Sequence, residues 1–203
     1  MGHREQLLQA ARRMLETKGY AHTTTRDLVA ESNTNLASIG YHFGSKAGLL
    51  NAAIATVFQE WTDQLAAIAM AEPDVVPLER ARITWVAVLG SFAGKRAFLL
   101  SYVEALAQAE RSPELREQVA GQYRRCRAQI AGLVARSFTG EITETDPRST
   151  AIASFVIAVC DGLALQFLLD PDGLPTAADL TAGLQAAWSA SLPAPSVEGG
   201  APR

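Results

Sequence analysis

Histidine, cysteine and charge are scarce in this chain, and each shortage removes a class of function. The 203 residues include three histidines, His3, His22 and His42, and all of them precede Phe43. No histidine is left for acid–base or metal chemistry in the rest of the chain, and no Glu-x-x-His pair exists for a metal site inside a helical bundle. The two cysteines, Cys126 and Cys160, form no CxxC and no metal-like spacing, which predicts reduced thiols in a cytoplasmic protein. Charged residues make up 19% and the net charge is -3, so bulk electrostatic attraction to nucleic acid is excluded. Sustained period-two alternation and two-residue hairpin turns are also missing, which argues against strands. The run Gly90 to Arg96 has three residues between its glycines and Arg where a phosphate loop needs Ser or Thr, so it reads as a helix–helix turn. No catalytic function, cofactor or metal is expected.

Long charge-free apolar runs are missing too. The most apolar segment, Ala151 to Leu169, holds Asp161 and Gln166, and its Ala, Gly and Ser content suits a protein interface better than lipid. The start, MGHREQLL, has no apolar stretch of signal-peptide length. A cytoplasmic protein without a membrane role is expected.

What the chain does have is helical periodicity with clear punctuation. Hydrophobic residues reach 48%, enough for a substantial core. Leu7, Leu8, Ala11, Met14 and Leu15 share one face of a first helix, from about Arg4 to Lys18, which Gly19 closes with a left-handed cap. Thr24 opens a second, short helix, because Thr followed three residues later by Asp27 is a capping-box pattern. Asn33 in the turn Ser32-Asn33-Thr34 is the residue expected at positive φ. Asn35 caps a third helix to Phe43, Gly44 ends it, and Ser45 caps a fourth that runs from Lys46 to about Met70. Leu49, Leu50, Ala53, Val57, Trp61, Leu65 and Ile68 form its apolar stripe. Five more helices are predicted near 78–92, 95–109, 113–138, 147–169 and 176–192, bounded by Gly94, Ser112-Pro113, Asp146-Pro147 and Pro171 to Pro175. The Pro/Gly-rich tail 193–203 is expected to be disordered.

The stretch Thr24 to Lys46 therefore spells a helix-turn-helix, a reader of the DNA major groove. Residues 1–50 hold six Lys/Arg against four Asp/Glu, and the remainder 12 against 17, so a mildly basic head sits on an acidic body. The third helix is short and carries Asn35, Ala37, Ser38 and Gly40, small or polar residues unsuited to a core helix. Tyr41, His42, Lys46 and the free amides of the fourth helix converge toward one phosphate. Gly48, where an acid would weaken it, leaves that helix end positive.

Residues 4–50 resemble the DNA-binding head of the TetR-type (tetracycline-repressor-like) regulators. The resemblance rests on Gly19-Tyr20 after the first helix, Thr24-Thr25-x-Asp27-Leu28, Tyr41-His42-Phe43-Gly44-Ser45-Lys46 and Leu49-Leu50. It departs from the family pattern at Val29, Asn33, Thr34 and Gly40, so that either Gly40 or Tyr41 faces a base. It implies that Thr24, Thr25 and Arg26 lie near phosphate or a base edge. Asn35, Leu36, Ala37 and Ser38 would face the groove, with Tyr41, His42 and Lys46 clamping the backbone. Arg26 alone suits a bidentate contact with guanine, and Leu36 and Ala37 suit a thymine methyl.

The implied architecture is all-α, about nine helices: a three-helix head (1–46), a ligand-binding and dimerisation body (47–192) and the tail. An effector pocket is expected among Phe58, Trp61, Trp85, Phe92, Tyr102, Tyr123, Phe155 and Phe167, where plain core packing is the competing explanation. Arg82, Glu104 and Asp161 are the body's candidates to meet a charged effector. A homodimer interface is expected on the last two helices, at Ile152, Phe155, Val156, Val159, Leu163, Gln166, Leu180, Leu184 and Trp188. The partners implied are double-stranded operator DNA, a small-molecule effector and a second copy of the chain. The function expected is a transcriptional repressor that an effector releases from a pseudo-palindromic operator; the alternative is a helical small-molecule-binding or scaffold protein without DNA readout.

Overall fold

The computed structural model describes residues 2–72, 74–137 and 142–191, without the side chains of 188, 190 and 191. The expected disordered tail lies outside them. The elements are α1 (His3–Thr17), α2 (Gly19–His22), α3 (Thr25–Ser32), α4 (Leu36–Phe43), α5 (Lys46–Ala69), α6 (Pro77–Phe92), α7 (Arg96–Ala109), α8 (Pro113–Ser137), α9 (Pro147–Leu169) and α10 (Ala177–Ser191), with 3-10 turns at Ala93–Lys95 and Pro171–Gly173. No strand occurs among the described residues. The predicted helices are all present, and α2 is an addition. Gly19, at φ 78°, turns the chain out of α1 as expected, but one further helical turn follows before Thr24.

Local chemistry sets the head's boundaries. Thr24 and Asp27 form the reciprocal capping box, and Asn33 adopts φ 51° in the turn. The core beneath α3 and α4 is Leu7, Leu8, Ala11 and Leu15 of α1, Leu28, Ile39, and Leu49 and Leu50 of α5, all buried. Tyr20 of α2 is buried and donates its hydroxyl to Asn51 Oδ1 of α5 at 2.9 Å, which locks the added turn onto the long helix.

Helix α5, roughly 36 Å long at 1.5 Å per residue, runs from the head into the body. Its stripe is buried at Leu49, Leu50, Ala53 and Trp61, joined by Ile54 and Phe58, whereas Ile68 is 43% exposed. The buried Arg80 holds its far end, donating to the Ala69 carbonyl at 2.5 Å and the Val75 carbonyl at 3.3 Å. A cation at a helix C-terminus satisfies orphan carbonyls and suits the dipole. Helix α9 packs mainly on α8, and α10 packs on α6.

Candidate nucleic-acid interface and effector cavity

The head presents α4 on its surface. Leu36 is 66% and Tyr41 86% exposed, and Asn35, Ala37 and Gly40 are exposed beside them. Ser38, expected in the groove, is instead buried; its backbone N–H and hydroxyl donate to Asn35 Oδ1 at 3.0 and 3.1 Å, with His3 Nδ1 at 3.4 Å. It shapes the start of α4 and does not present its hydroxyl outward. Thr24 is exposed with its hydroxyl held by Asp27 at 2.6 Å, Thr25 is half-buried, and Arg26 is exposed without a hydrogen bond or ion pair.

At the α4–α5 corner, His42 stands between the rings of Tyr41 and Phe43, with centroids 4.8 and 6.3 Å away. Ser45 Oγ accepts the Gly48 N–H at 3.0 Å, and the amides of Lys46 and Ala47 have no acceptor within the helix. Lys46 does not reach straight into solvent: its Nζ donates to the Thr23 carbonyl at 2.8 Å, at the end of α2. Arg4, a residue the sequence did not single out, lies with its guanidinium 5.5 Å from the Phe43 ring centroid and adds charge to this corner.

The ion pairs sort the head's cations. Arg12 pairs with Glu60, Arg13 with Glu31 and Lys18 with Asp27, which leaves Arg4, Arg26 and Lys46 without acidic partners among the described residues. The Lys18 ammonium and the Thr24 contacts hold the Asp27 carboxyl well below the usual carboxylate range, so the cap stays ionised. The three unneutralised cations belong to α1, the start of α3 and the start of α5, the elements that frame α4.

In the body, a cavity of about 140 Å³ lies among α5, α6, α7, α8 and α9. Of the expected pocket residues, Phe58, Trp61, Tyr102 and Tyr123 line it, together with Phe98, Leu99, Cys126, Ile157, Cys160 and Asp161. The other expected members lie elsewhere. Phe92 is fully buried behind Trp61, Phe167 packs on Phe92 with Arg96 over its ring, Trp85 is buried in α6, and Phe155 is exposed on α9. The three acid or base candidates of the body also part company. Arg82 pairs with Glu79 on the surface, Glu104 accepts the Ala21 N–H of α2 at 3.0 Å, and only Asp161 faces the cavity.

Tyr123 donates to Asp161 Oδ2 at 2.7 Å, while the Tyr102 hydroxyl is buried without a hydrogen-bond partner. Burial raises the Asp161 carboxyl above its ordinary value, and the Tyr123 hydrogen bond only partly offsets this. Between the ordinary and the raised value the folded protein binds the extra proton, so stability falls as pH rises through that window. Asp161→Asn should therefore raise the melting temperature at pH 7, with the gain disappearing below the ordinary carboxylate value of 3.8. Thermal unfolding of the two proteins at several pH values checks this; a gain independent of pH would assign the effect to packing.

The expected interface residues divide likewise. Leu163 is buried in the subunit's own core, and Val156, Val159 and Leu180 pack against it. Ile152 and Leu184 are half-buried, Phe155 and Gln166 are exposed, and the Trp188 side chain lies outside the described ones. The outward face of α9 carries a neighbouring stripe, Ala151, Phe155, Ala158, Gly162, Leu165 and Leu169, spaced alternately by four and three. Leu165 is 48% and Leu169 88% exposed, and a Cβ on Gly162 would meet open space.

The profile of the tetR family of bacterial regulatory proteins matches residues 7–53, and that of the C-terminal domain of BetI-type transcriptional repressors matches residues 77–186. The chain is 28% identical over 182 residues to the HTH-type transcriptional regulator TtgR of Pseudomonas putida, covering 87% of this chain and 85% of TtgR. It is 26% identical over 166 residues to the nucleoid occlusion factor SlmA of Edwardsiella ictaluri, covering 81% and 82%. The structure of the multidrug binding protein EbrR complexed with proflavin superposes with a TM-score of 0.63 at 26% identity, covering 92% of this chain and 99% of that one. With both halves of the family architecture matched in order along one chain, this protein belongs to the tetR family of bacterial regulatory proteins.

Proposed function

We propose that the protein is a homodimeric repressor that a small molecule bound in the body releases from its operator. Residues 1–46 act as the DNA-binding head and 47–192 as the effector-binding and dimerisation body, working as a soluble protein in the cytoplasm. The observation that carries the DNA reading is the charge sorting: the cations left unpaired in the head are those framing the exposed α4. Asn35, Leu36, Ala37 and Tyr41 face the major groove, with Thr24 and Thr25 at its edge. Arg26 reads a base, and Arg4, His42 and Lys46 hold the backbone. Ser38 supports this surface from below. Two subunits set their α4 helices about 34–36 Å apart, one turn of DNA. The relatives' descriptions as a transcriptional regulator and a multidrug binding protein support both halves of the reading.

Two helices connect cavity to head. Helix α5 begins at the phosphate-facing corner and lines the cavity with Phe58, Trp61 and Leu65. Helix α7 lines it with Phe98, Tyr102 and Leu106, and on its other side Ser101 donates to the Leu15 carbonyl at 3.1 Å and Glu104 accepts from Ala21. An effector that parts the cavity walls therefore moves α1, α2 and the α5 corner together. To turn occupancy from 99:1 to 1:99 it must favour the released arrangement about 10⁴-fold.

Selection of binding sites from a random duplex pool tests the DNA reading and should return a palindrome. Arg26→Ala should cost roughly 1–3 kcal/mol and relax preference at one base pair. Lys46→Gln keeps a donor for the Thr23 carbonyl while removing the charge; it should weaken all sequences alike and flatten the salt dependence by about one counterion. If no palindrome emerges and both variants bind random duplex as the parent does, the protein is a helical binding protein without DNA readout.

A further inference from the structure

Among the described residues, the cavity wall carries a single formal charge. Every lining residue except Asp161 is apolar, aromatic, hydroxylic or a thiol. The only other ionisable groups facing it are Tyr102, Tyr123, Cys126 and Cys160. Burial pushes Tyr123 and Cys160 up to about 12, Cys126 up to about 11, and Tyr102 higher still, so none of them supplies charge near neutrality. Asp161 has one partner, the Tyr123 hydroxyl, and no lysine or arginine pairs with it among the described residues. Arg127 of α8, which follows Cys126, donates to Ser154 Oγ at 2.9 Å. Asp161 is half-buried, so its carboxylate loses part of its hydration without a counter-ion to replace it.

Aromatic rings line the cavity, and one cation already uses them: the Lys95 ammonium lies 5.8 Å from the Trp61 ring centroid. Tyr102 stacks between Phe58 and Phe98, with centroid separations of 5.6 and 6.1 Å, and Trp61 stands edge-on to Phe58 and Phe98. Aromatic faces attract cations, most strongly where water is excluded. The Tyr102 hydroxyl, fully enclosed and without a hydrogen-bond partner, stands beside Tyr123, the donor to Asp161. An anion would meet repulsion from Asp161, and a neutral hydrocarbon would bury the carboxylate further without compensating it. A metal ion is disfavoured, since no cluster of three or more His, Cys, Asp or Glu side chains occurs among the described residues. The volume, about 140 Å³, is close to the roughly 150 Å³ that takes one benzene ring, and the cavity is partly open, so a larger ligand seats its ring inside and extends through the open side.

We propose that the cavity takes a small monovalent organic cation with an aromatic or bulky apolar body, its charge neutralised by Asp161 and its body enclosed by Phe58, Trp61, Phe98 and Tyr102. This names the effector class for the repressor reading and rests on that reading only for the consequence at DNA. The site itself is a cation receptor built from one acid and four rings.

Phenyltrimethylammonium and tert-butylbenzene have nearly the same shape and differ in charge, so they isolate the role of Asp161. Binding is followed by tryptophan fluorescence, and release of a selected operator by anisotropy, on the full chain. The dissociation constant for the cation should be at least tenfold lower than for the hydrocarbon. Asp161→Asn should lose tenfold or more in cation affinity and keep its affinity for the hydrocarbon. Should the variant fail to fold, the wild-type comparison of the two ligands decides alone. Equal affinity for both ligands, undiminished cation binding by Asp161→Asn, or no binding of either overturns the proposal. Asp161-dependent cation binding that leaves the operator bound upholds the receptor and overturns effector release. Release by ligands that ignore Asp161 upholds effector release and overturns the cation class.

Discussion

Gly48→Ala is expected to cut operator affinity more than tenfold and to lower the melting temperature by roughly 4–10 °C. A Cβ at position 48 would stand 2.1 Å from the Phe43 carbonyl oxygen, a separation that real Cβ atoms do not show. The obstacle is backbone, at the last residue of α4, so no side-chain rotation relieves it. Relief requires the α4–α5 corner to open, which breaks the Ser45 cap on Gly48 and shifts Lys46 and the start of α5 relative to Tyr41 and His42 of α4. Overpacking of this kind costs about 1–3 kcal/mol, and more is expected against backbone at both sides; at about 2–4 °C per kcal/mol for a chain of this size, the stated shift follows. Gly90→Ala serves as the control, since a Cβ there meets nothing within 4 Å and alanine favours the interior of α6. Thermal unfolding followed by circular dichroism, with operator binding by anisotropy, measures both effects. Wild-type behaviour of Gly48→Ala would show that the corner is looser than this approach implies. The sequence suggested a different role for Gly48, the absence of an acid at a helix end; the close approach is the stronger constraint.

Leu165→Glu, at a residue that also lines the cavity rim, should convert the proposed dimer to a monomer and weaken operator binding by about 10²- to 10⁴-fold. The proposed contact is the α9 stripe of Phe155, Ala158, Gly162, Leu165 and Leu169, whose four-three spacing suits a helix seam. Small residues at 158 and 162 let two backbones approach closely, and the larger ones fill the ends. A buried, unpaired glutamate from each subunit would leave two like charges near the two-fold axis. A monomer loses the second half-site contact, and with it the effective-concentration gain of a bivalent ligand. Sedimentation at micromolar concentration reads the oligomeric state directly. A Leu165→Glu protein that remains dimeric places the interface elsewhere, and Gln166→Glu, on the neighbouring register, would then be the next substitution to compare.

The two helices that join cavity and head differ in how visible they were. Helix α5 announced itself through its length and its cap, so its reach from the head into the body was readable before any packing was known. The α7 contribution was not, because Ser101 and Glu104 look like ordinary polar positions on an amphipathic helix. Their partners are the Leu15 carbonyl and the Ala21 amide, backbone groups more than 80 residues earlier, which no local pattern encodes. Ser38 taught the reverse lesson. A small polar residue on a short exposed helix reads as groove-facing, yet its cap and its place beside His3 bury it.

By itself the sequence determined everything that acts over a few residues. The Thr24–Asp27 box, the left-handed Asn33, the Asn35 and Ser45 caps and the proline-led starts of α6, α8 and α9 all depend on backbone groups within one turn. Side chains can specify those groups locally, so the all-α fold and the helix-turn-helix were legible, and with them the family. The tertiary structure alone decided which apolar faces look inward. Helix α9 is apolar nearly all round, so its periodicity carries no preferred direction, and only its packing puts Leu163 in the core and Leu165 at the rim of the cavity. The same packing separates Trp61 and Tyr102, which line the cavity, from Phe92 and Phe167, which support it. It also turns Asp161 from one acid among three candidates into the single charge of the cavity.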